Sequence, residues 1–260
     1  RVKSARQTIE AALSLLVAVA MADHQKLNTQ KNREVKHGPL KSFAISKVSA
    51  GPLWVCLRDY LTILGSKASI SSPIRALVDE ASFAIVDQAV TAVADCKHDK
   101  IDEATVDWNR SLSLFGNVIR KVFENVEFGY FSNPSRRAGK SSAQFRRLHG
   151  TGYGDSGRTA ELDDTPENDQ PYLYSKKDAL FVPLFPWAMF ENGGDSSKRL
   201  CLFFDGADKK GNLGYRSPTQ PGEKILQQME ILSAYAQQAE RLLQGYLDPS
   251  VIKLISIAED

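Results

Sequence analysis

Apolar residues change their spacing near position 126, and the change divides the chain. Upstream they recur every three or four residues. Arg6–Lys26 is rich in Ala and Leu with no Gly or Pro, so helix propensity is high throughout. Gly38-Pro39 in "HGPLKSF" breaks that run. "GPLWVCLRDYLTILG" begins with Pro52, suited to a first helical turn, and stops at Gly65. "SSPIRALVDEASFAIVDQAVTAVADC" repeats the device. It predicts one helix with Ser72 as N-cap, Pro73 at the first position, and Ile74, Leu77, Val78, Ala81, Ile85, Ala89 and Val93 on one face. Together these segments predict a helical bundle over residues 1–105. A further helix over 107–124 sets Leu112, Phe115, Ile119 and Val122 three and four apart.

Downstream the period shortens to two. "ENVEFGYFS" places Val126, Phe128 and Tyr130 on one strand face. "AQFRRLHGTGYG" reads as a weaker strand ending in glycines, and "PYLYSKK" as a short strand. Between them, Gly154–Gln170 is polar and acidic, which predicts a loop with at most a short helix. "ALFVPLFP" and "RLCLFFDG" flank a spacer rich in Asn, Gly, Asp and Ser, predicting a hairpin with both strands deep in a core. The next apolar run, "KILQQMEILSAYAQQAERLLQGYL", spaces Ile225, Met229, Leu232, Ala236, Ala239 and Leu243 four and three apart. That heptad seam suits either a coiled-coil partner or the protein's own sheet. The fold class expected is α+β: an N-terminal helical region, then an antiparallel sheet flanked by helices.

Helix, strands, polar segment, strands and long closing helix, in that order over about Asp107–Tyr246, resemble the GAF family of small-molecule sensor domains. "ALFVPLFP", with Val182-Pro183-Leu184, resembles the family's central strand, and "LCLFFDG" the strand after it. "FRRLHGTGY" is similar to the second strand, and "LQQMEILSAYAQQAERLL" to the closing helix. The usual Phe-Thr near the closing region is replaced by "YRSPTQPGE". The Asn-Lys…Phe…Asp…Glu pattern of cyclic-nucleotide-binding members is missing. No Cys sits in a bilin-attachment context, and the family's sulfoxide-reductase cysteines have no match. The resemblance therefore implies a sensor fold without the family's best-known ligands.

It implies boundaries at 1–105 for the helical region, 106–247 for the GAF-like domain and 248–260 for a linker towards an output domain. Leu247, Pro249 and Val251 are similar to linkers that lead into nucleotide cyclase domains; Asp248 and Pro249 equally suit a helix start. It also implies an apolar pocket. Phe128, Tyr130, Phe145, Tyr174 and Phe181 would stack a planar ligand there, and Arg147 or His149 would supply the polar contact. The competing reading makes the same aromatics core residues that fill the pocket.

Composition narrows the partners. With 260 residues, 42% hydrophobic and 25% charged, the chain has ample core for a soluble globular protein. Its 33 basic and 31 acidic residues are interspersed, giving a net charge of +2 that predicts no nucleic-acid partner. The densest basic stretch, "NPSRRAGKSSAQFRR" (Asn133–Arg147), reads as a solvated loop. Cys56, Cys96 and Cys201 lie far apart with no CxxC, which suggests reduced thiols and a cytoplasmic setting, with Cys201 an inert core residue. "RVKSARQTIEAALSLLVAVAMADH" is similar to a signal peptide, but its apolar run Ala11–Ala22 is too short to span a bilayer. A buried helix and no membrane partner are expected, and the start at Arg1 suggests a piece of a longer chain.

Catalytic patterns find no support. His24, His37, His98 and His149 lack metal-ligand spacing, "HGTGYGDSG" lacks the Lys-Ser/Thr of a P-loop, and Asp163-Asp164 sits in a polar stretch. The expectation is a non-enzymatic regulatory fragment of a cytoplasmic signalling protein, with no metal and no identified cofactor. It would bind a small planar ligand and form a homodimer through helices 107–124 and 224–247. The alternative is a ligand-free GAF-like dimerisation or docking module.

Overall fold

A computed structural model describes residues 2–31, 49–66, 72–148, 157–168, 170–175, 177, 180–185, 187–190, 201–207, 213–216 and 224–227. Among them are four α-helices: α1 (Val2–Lys31), α2 (Ala50–Ser66), α3 (Glu80–Lys97) and α4 (Trp108–Val122). Short 3-10 segments lie at Pro73–Val78 and Glu103–Thr105. The α+β class with N-terminal helices is as expected.

Helix α1 is the hub. Every residue from Leu16 to His24 is buried, so the helix is enclosed on all sides rather than along one stripe. Ala5–His24 is long and apolar enough to cross a membrane by length and composition, longer than the run apparent from Ala11 to Ala22. Here it packs on α2, α3 and α4 and touches strands of both sheets. One apolar cluster runs from Ile9, Leu13 and Leu16 through Leu57, Val90 and Phe115 to Leu173, Val182, Leu202 and Tyr215. The helical region and the sheets thus share a single core.

The segment expected as one helix from Ser72 to Cys96 is two. Pro73–Val78 is 3-10, the backbone turns extended at Asp79, and α3 restarts at Glu80. Asp79 is the cap, accepting from the Ser82 backbone N–H and hydroxyl. Ser72 makes no cap bond; its hydroxyl instead meets the buried Asp23 carboxylate of α1. Across the break, Ile74 and Leu77 before it and Val86, Val90 and Val93 after it all bury in the same core.

The first sheet is antiparallel throughout, in the order β3-β2-β1-β4-β5: β1 Glu127–Arg137, β2 Lys140–Arg147, β3 Arg158–Leu162, β4 Pro171–Ser175 and β5 Leu180–Pro183. Two expectations change here. The basic stretch 133–147 is not a loop but a long β1–β2 hairpin turning only at Ala138 and Gly139, both at positive φ (48° and 81°). Positive φ at both central residues matches the twist of the strands it joins. Within the acidic stretch, Arg158–Leu162 is a strand: Ala160 and Leu162 are buried while Thr159 and Glu161 are exposed, an alternation of period two.

Strand order has a consequence for the β3–β4 connection. β2 and β1 lie between those strands, and residues 163–168 of the connection lie over the face away from the helices. Thr165 and Ser141 hydroxyls meet at 2.7 Å, and the Glu167 backbone N–H donates to the Tyr172 hydroxyl at 2.9 Å. Pro166, within this strap, is buried.

A second antiparallel sheet follows, in the order β6-β7-β8-β9: β6 Ala188–Phe190, β7 Cys201–Ala207, β8 Leu213–Arg216 and β9 Lys224–Gln227. The expected hairpin of "ALFVPLFP" with "RLCLFFDG" does not form. β5 pairs with β4, and a turn closed by the Ala188 N–H on the Leu184 carbonyl at 2.9 Å carries the chain to β6, which is the partner of β7. The tight turn redirects the chain before a hairpin between the two apolar runs can close. The expected closing helix is also corrected at its start, because Lys224–Gln227 is a strand on the edge of β8. Ladder bonds to an open edge outweigh helix propensity over those residues. Residues 228–247 of that helix, and the linker 248–260, lie outside the described residues.

Candidate functional site

Register decides which of the expected site residues meet. In β1, Gly129 lies opposite Arg147 and Tyr172, and Phe131 opposite Phe145; in β4, Tyr174 lies opposite Phe181. Cross-strand partners share a face. Phe145, Arg147, Tyr174 and Phe181 therefore stand on the strap side, whereas Phe128 and Tyr130 stand on the helix side. Phe128 packs on the main core, and Tyr130 meets Phe190 of β6 edge-on at 5.8 Å. His149 lies outside the described residues. The expected set is thus split by the sheet itself, because positions of even number on β1 face away from the strap.

The strap-side aromatics form a closed cluster around Phe131, which the expected set omitted. Ring centroids of Phe131, Phe145, Tyr172, Tyr174 and Phe181 pair at 4.8 to 5.6 Å. Phe131 and Phe145 have no exposed surface. Gly129 is required beneath them, since a Cβ there would strike the Arg146 carbonyl and sit 2.7 Å from Phe145 Cζ. The space over Phe145 and Tyr174 is taken by the Arg158 guanidinium, 5.5 and 5.8 Å from the two ring centres and paired with Glu127. A planar cation already lies where a planar ligand would stack.

An open cavity of about 240 Å³ lies on the other side of the sheet. Its floor is Leu173 and Val182, paired across β4 and β5. One wall is the end of α4 and the turn after it, with Lys121, Val122, Asn125 and Val126; the other is the 3-10 segment, with Ser72, Pro73 and Ala76. Ser175 lies buried at the strand end. Polar and apolar surface contribute about equally to the lining, and the cavity opens at the exposed Lys121 and Asn125, a mixed character that suits a small amphiphilic ligand. None of the expected site residues that are described lines it. Periodicity marked Val122 and Val126 as buried positions, but no signal in the sequence joins them to Ser72 or Leu173, which are distant along the chain.

At the cavity mouth Lys121 pairs loosely with Asp79, Nζ lying 3.6 Å from Oδ2. The hydrogen bonds from Ser82, and secondarily Lys121, hold the Asp79 carboxyl below the usual carboxylate range. A folded-state value below the unfolded one, about 3.9, contributes stability that is complete above pH ~4 and lost as pH falls through the folded value. Asp79→Ser keeps a capping oxygen but removes the titration. Thermal melts from about pH 6 to 2 should therefore show a shallower acid loss for the variant than for the parent; parallel curves would refute the assignment.

The described cysteines are free thiols, and burial pushes the thiol values of Cys56 and Cys201 up, away from nucleophilic use. Among the described residues no group of three or more His, Cys, Asp or Glu side chains is placed to hold a metal ion. No family model, curated protein or solved structure matches this chain.

Proposed function

We propose that the chain is a regulatory module that binds a small molecule in the cavity between α4, the Pro73–Val78 segment and the β4–β5 pair. The observation that carries this reading is that the cavity joins three separate elements, with apolar floor and polar rim, while the aromatic side of the sheet is filled by its own side chains and Arg158. α4 contributes Lys121 and Val122 to the cavity and buries Trp108, Phe115 and Val118 in the common core. A ligand that favours one position of α4 over another would alter its packing on α1 and α3, and would act only through that difference in affinity. A sensor role in a larger signalling protein, on the pattern of GAF domains, fits this arrangement, with the site moved from the aromatic face to the helix side.

A thermal-shift screen of small organic compounds tests it. Ligands of the cavity should raise the melting temperature in a concentration-dependent way, and the effect should vanish in Ala76→Phe, which fills the cavity from the 3-10 wall. Equal stabilisation of both proteins would place binding elsewhere. No stabilising compound at all would favour the module that docks or dimerises without a ligand.

A further inference from the structure

The chemistry of the cavity mouth narrows the ligand class, on the reading that the cavity is the binding site. Lys121 is the charged residue of the lining; the other polar groups are the Ser72 and Ser175 hydroxyls and the Asn125 amide. Its present partner, Asp79, is a weak competitor. Both side chains are more than half exposed, and at 3.6 Å the contact is a loose surface ion pair of the kind that contributes little. Asp79 does not depend on Lys121 either, since Ser82 satisfies it through two hydrogen bonds at 3.1 and 2.8 Å. Exchanging the lysine for another carboxylate therefore leaves the α3 cap intact.

Behind the mouth, apolar contacts come from Leu173 and Val182 below, Val122 and Val126 on one side, and Pro73 and Ala76 on the other, beside Ser72 and the buried Ser175. A volume of about 240 Å³ is below that of drug-sized sites. Such a cavity suits a short occupant, with an apolar body for the floor and a polar end for the mouth.

We propose that the cavity takes a small organic monocarboxylate, whose carboxyl group replaces Asp79 on Lys121 and whose hydrocarbon body rests on Leu173 and Val182. Binding then moves the lysine's ion pair from the start of α3 to the ligand. Lys121 pairs with the ligand over the sheet rather than with the start of α3. The ligand's charge is the signal and the ion pair is what it alters.

NMR titration of the full 260-residue chain with three probes of one shape tests this: pentanoate, pentanamide and pentylammonium. Pentanoate should shift resonances of Lys121, Val122, Val126, Leu173 and Val182, and bind about tenfold tighter than pentanamide, as expected when the ammonium meets a charged rather than a neutral acceptor. Lys121→Gln, an exposed change with little cost to the fold, should abolish that preference. Equal binding of pentanoate and pentanamide, a preference for pentylammonium, or an undiminished preference in Lys121→Gln would each overturn the carboxylate class and leave the cavity as the site. If no probe shifts the cavity resonances, the carboxylate proposal fails, while the cavity reading stands or falls by the thermal-shift screen.

Discussion

Phe145→Ala is expected to cost about 3–5 kcal/mol of folding stability, measured by urea unfolding. Phe145 has no exposed surface, packs on Phe131 and Tyr174 at 5.1 and 4.8 Å, and carries the Arg158 guanidinium above its ring. Truncation removes the ring and leaves a void that Gly129 beneath cannot fill. Phe131→Ala should cost a similar amount. The double variant should lose less than the sum by about 0.5–1.5 kcal/mol, the coupling of an aromatic pair. A loss under about 1 kcal/mol for either single change would mean that the cluster is loosely packed, and would restore the aromatic face as a ligand pocket.

A fragment comprising residues 106–247 is expected not to fold. It is the piece that the resemblance to GAF domains would isolate as a domain, yet it lacks the helix on which its sheets rest. Leu173, Val182, Leu202 and Tyr215 share one apolar cluster with Leu13, Leu16 and Met21 of α1. Without α1 that face is open to water, an apolar patch of the kind that drives aggregation. The fragment should bind hydrophobic dyes and unfold without a cooperative transition, whereas the whole chain should melt in one step. A cooperative melt and a native-like near-ultraviolet spectrum from the fragment would establish an independent domain.

Both expectations rest on features that were unevenly legible in the sequence. α1, α2 and α4 were readable because helical periodicity is written in neighbouring residues, and the same is true of the alternation in β1 and the compact apolar run of β4. Arg158–Leu162 also alternates, but its short span inside an acidic stretch looked like a loop. The 3-10 break at Pro73–Val78 was hidden because Pro73 suits the first turn of either kind of helix; the Asp79 cap marks the true start of α3. For the candidate site, the aromatics of β1, β2, β4 and β5 were found individually. Their grouping was not, since Phe128 and Tyr130 share a strand with Phe131 yet face the other way.

Local patterns of charge and hydrophobicity were enough to establish an α+β protein with a helical start, a buried first helix and an aromatic sheet. Those are properties of segments, set by propensity and by the period at which apolar side chains recur. The pairing of β5 with β4 rather than β7, the strap that closes the aromatic face, the single core shared by helices and sheets, and the cavity beside Lys121 are of another kind. Each depends on the register and order in which distant segments hydrogen-bond and pack. Many arrangements satisfy the same local periods, and the choice among them lies in contacts between residues tens to over a hundred positions apart.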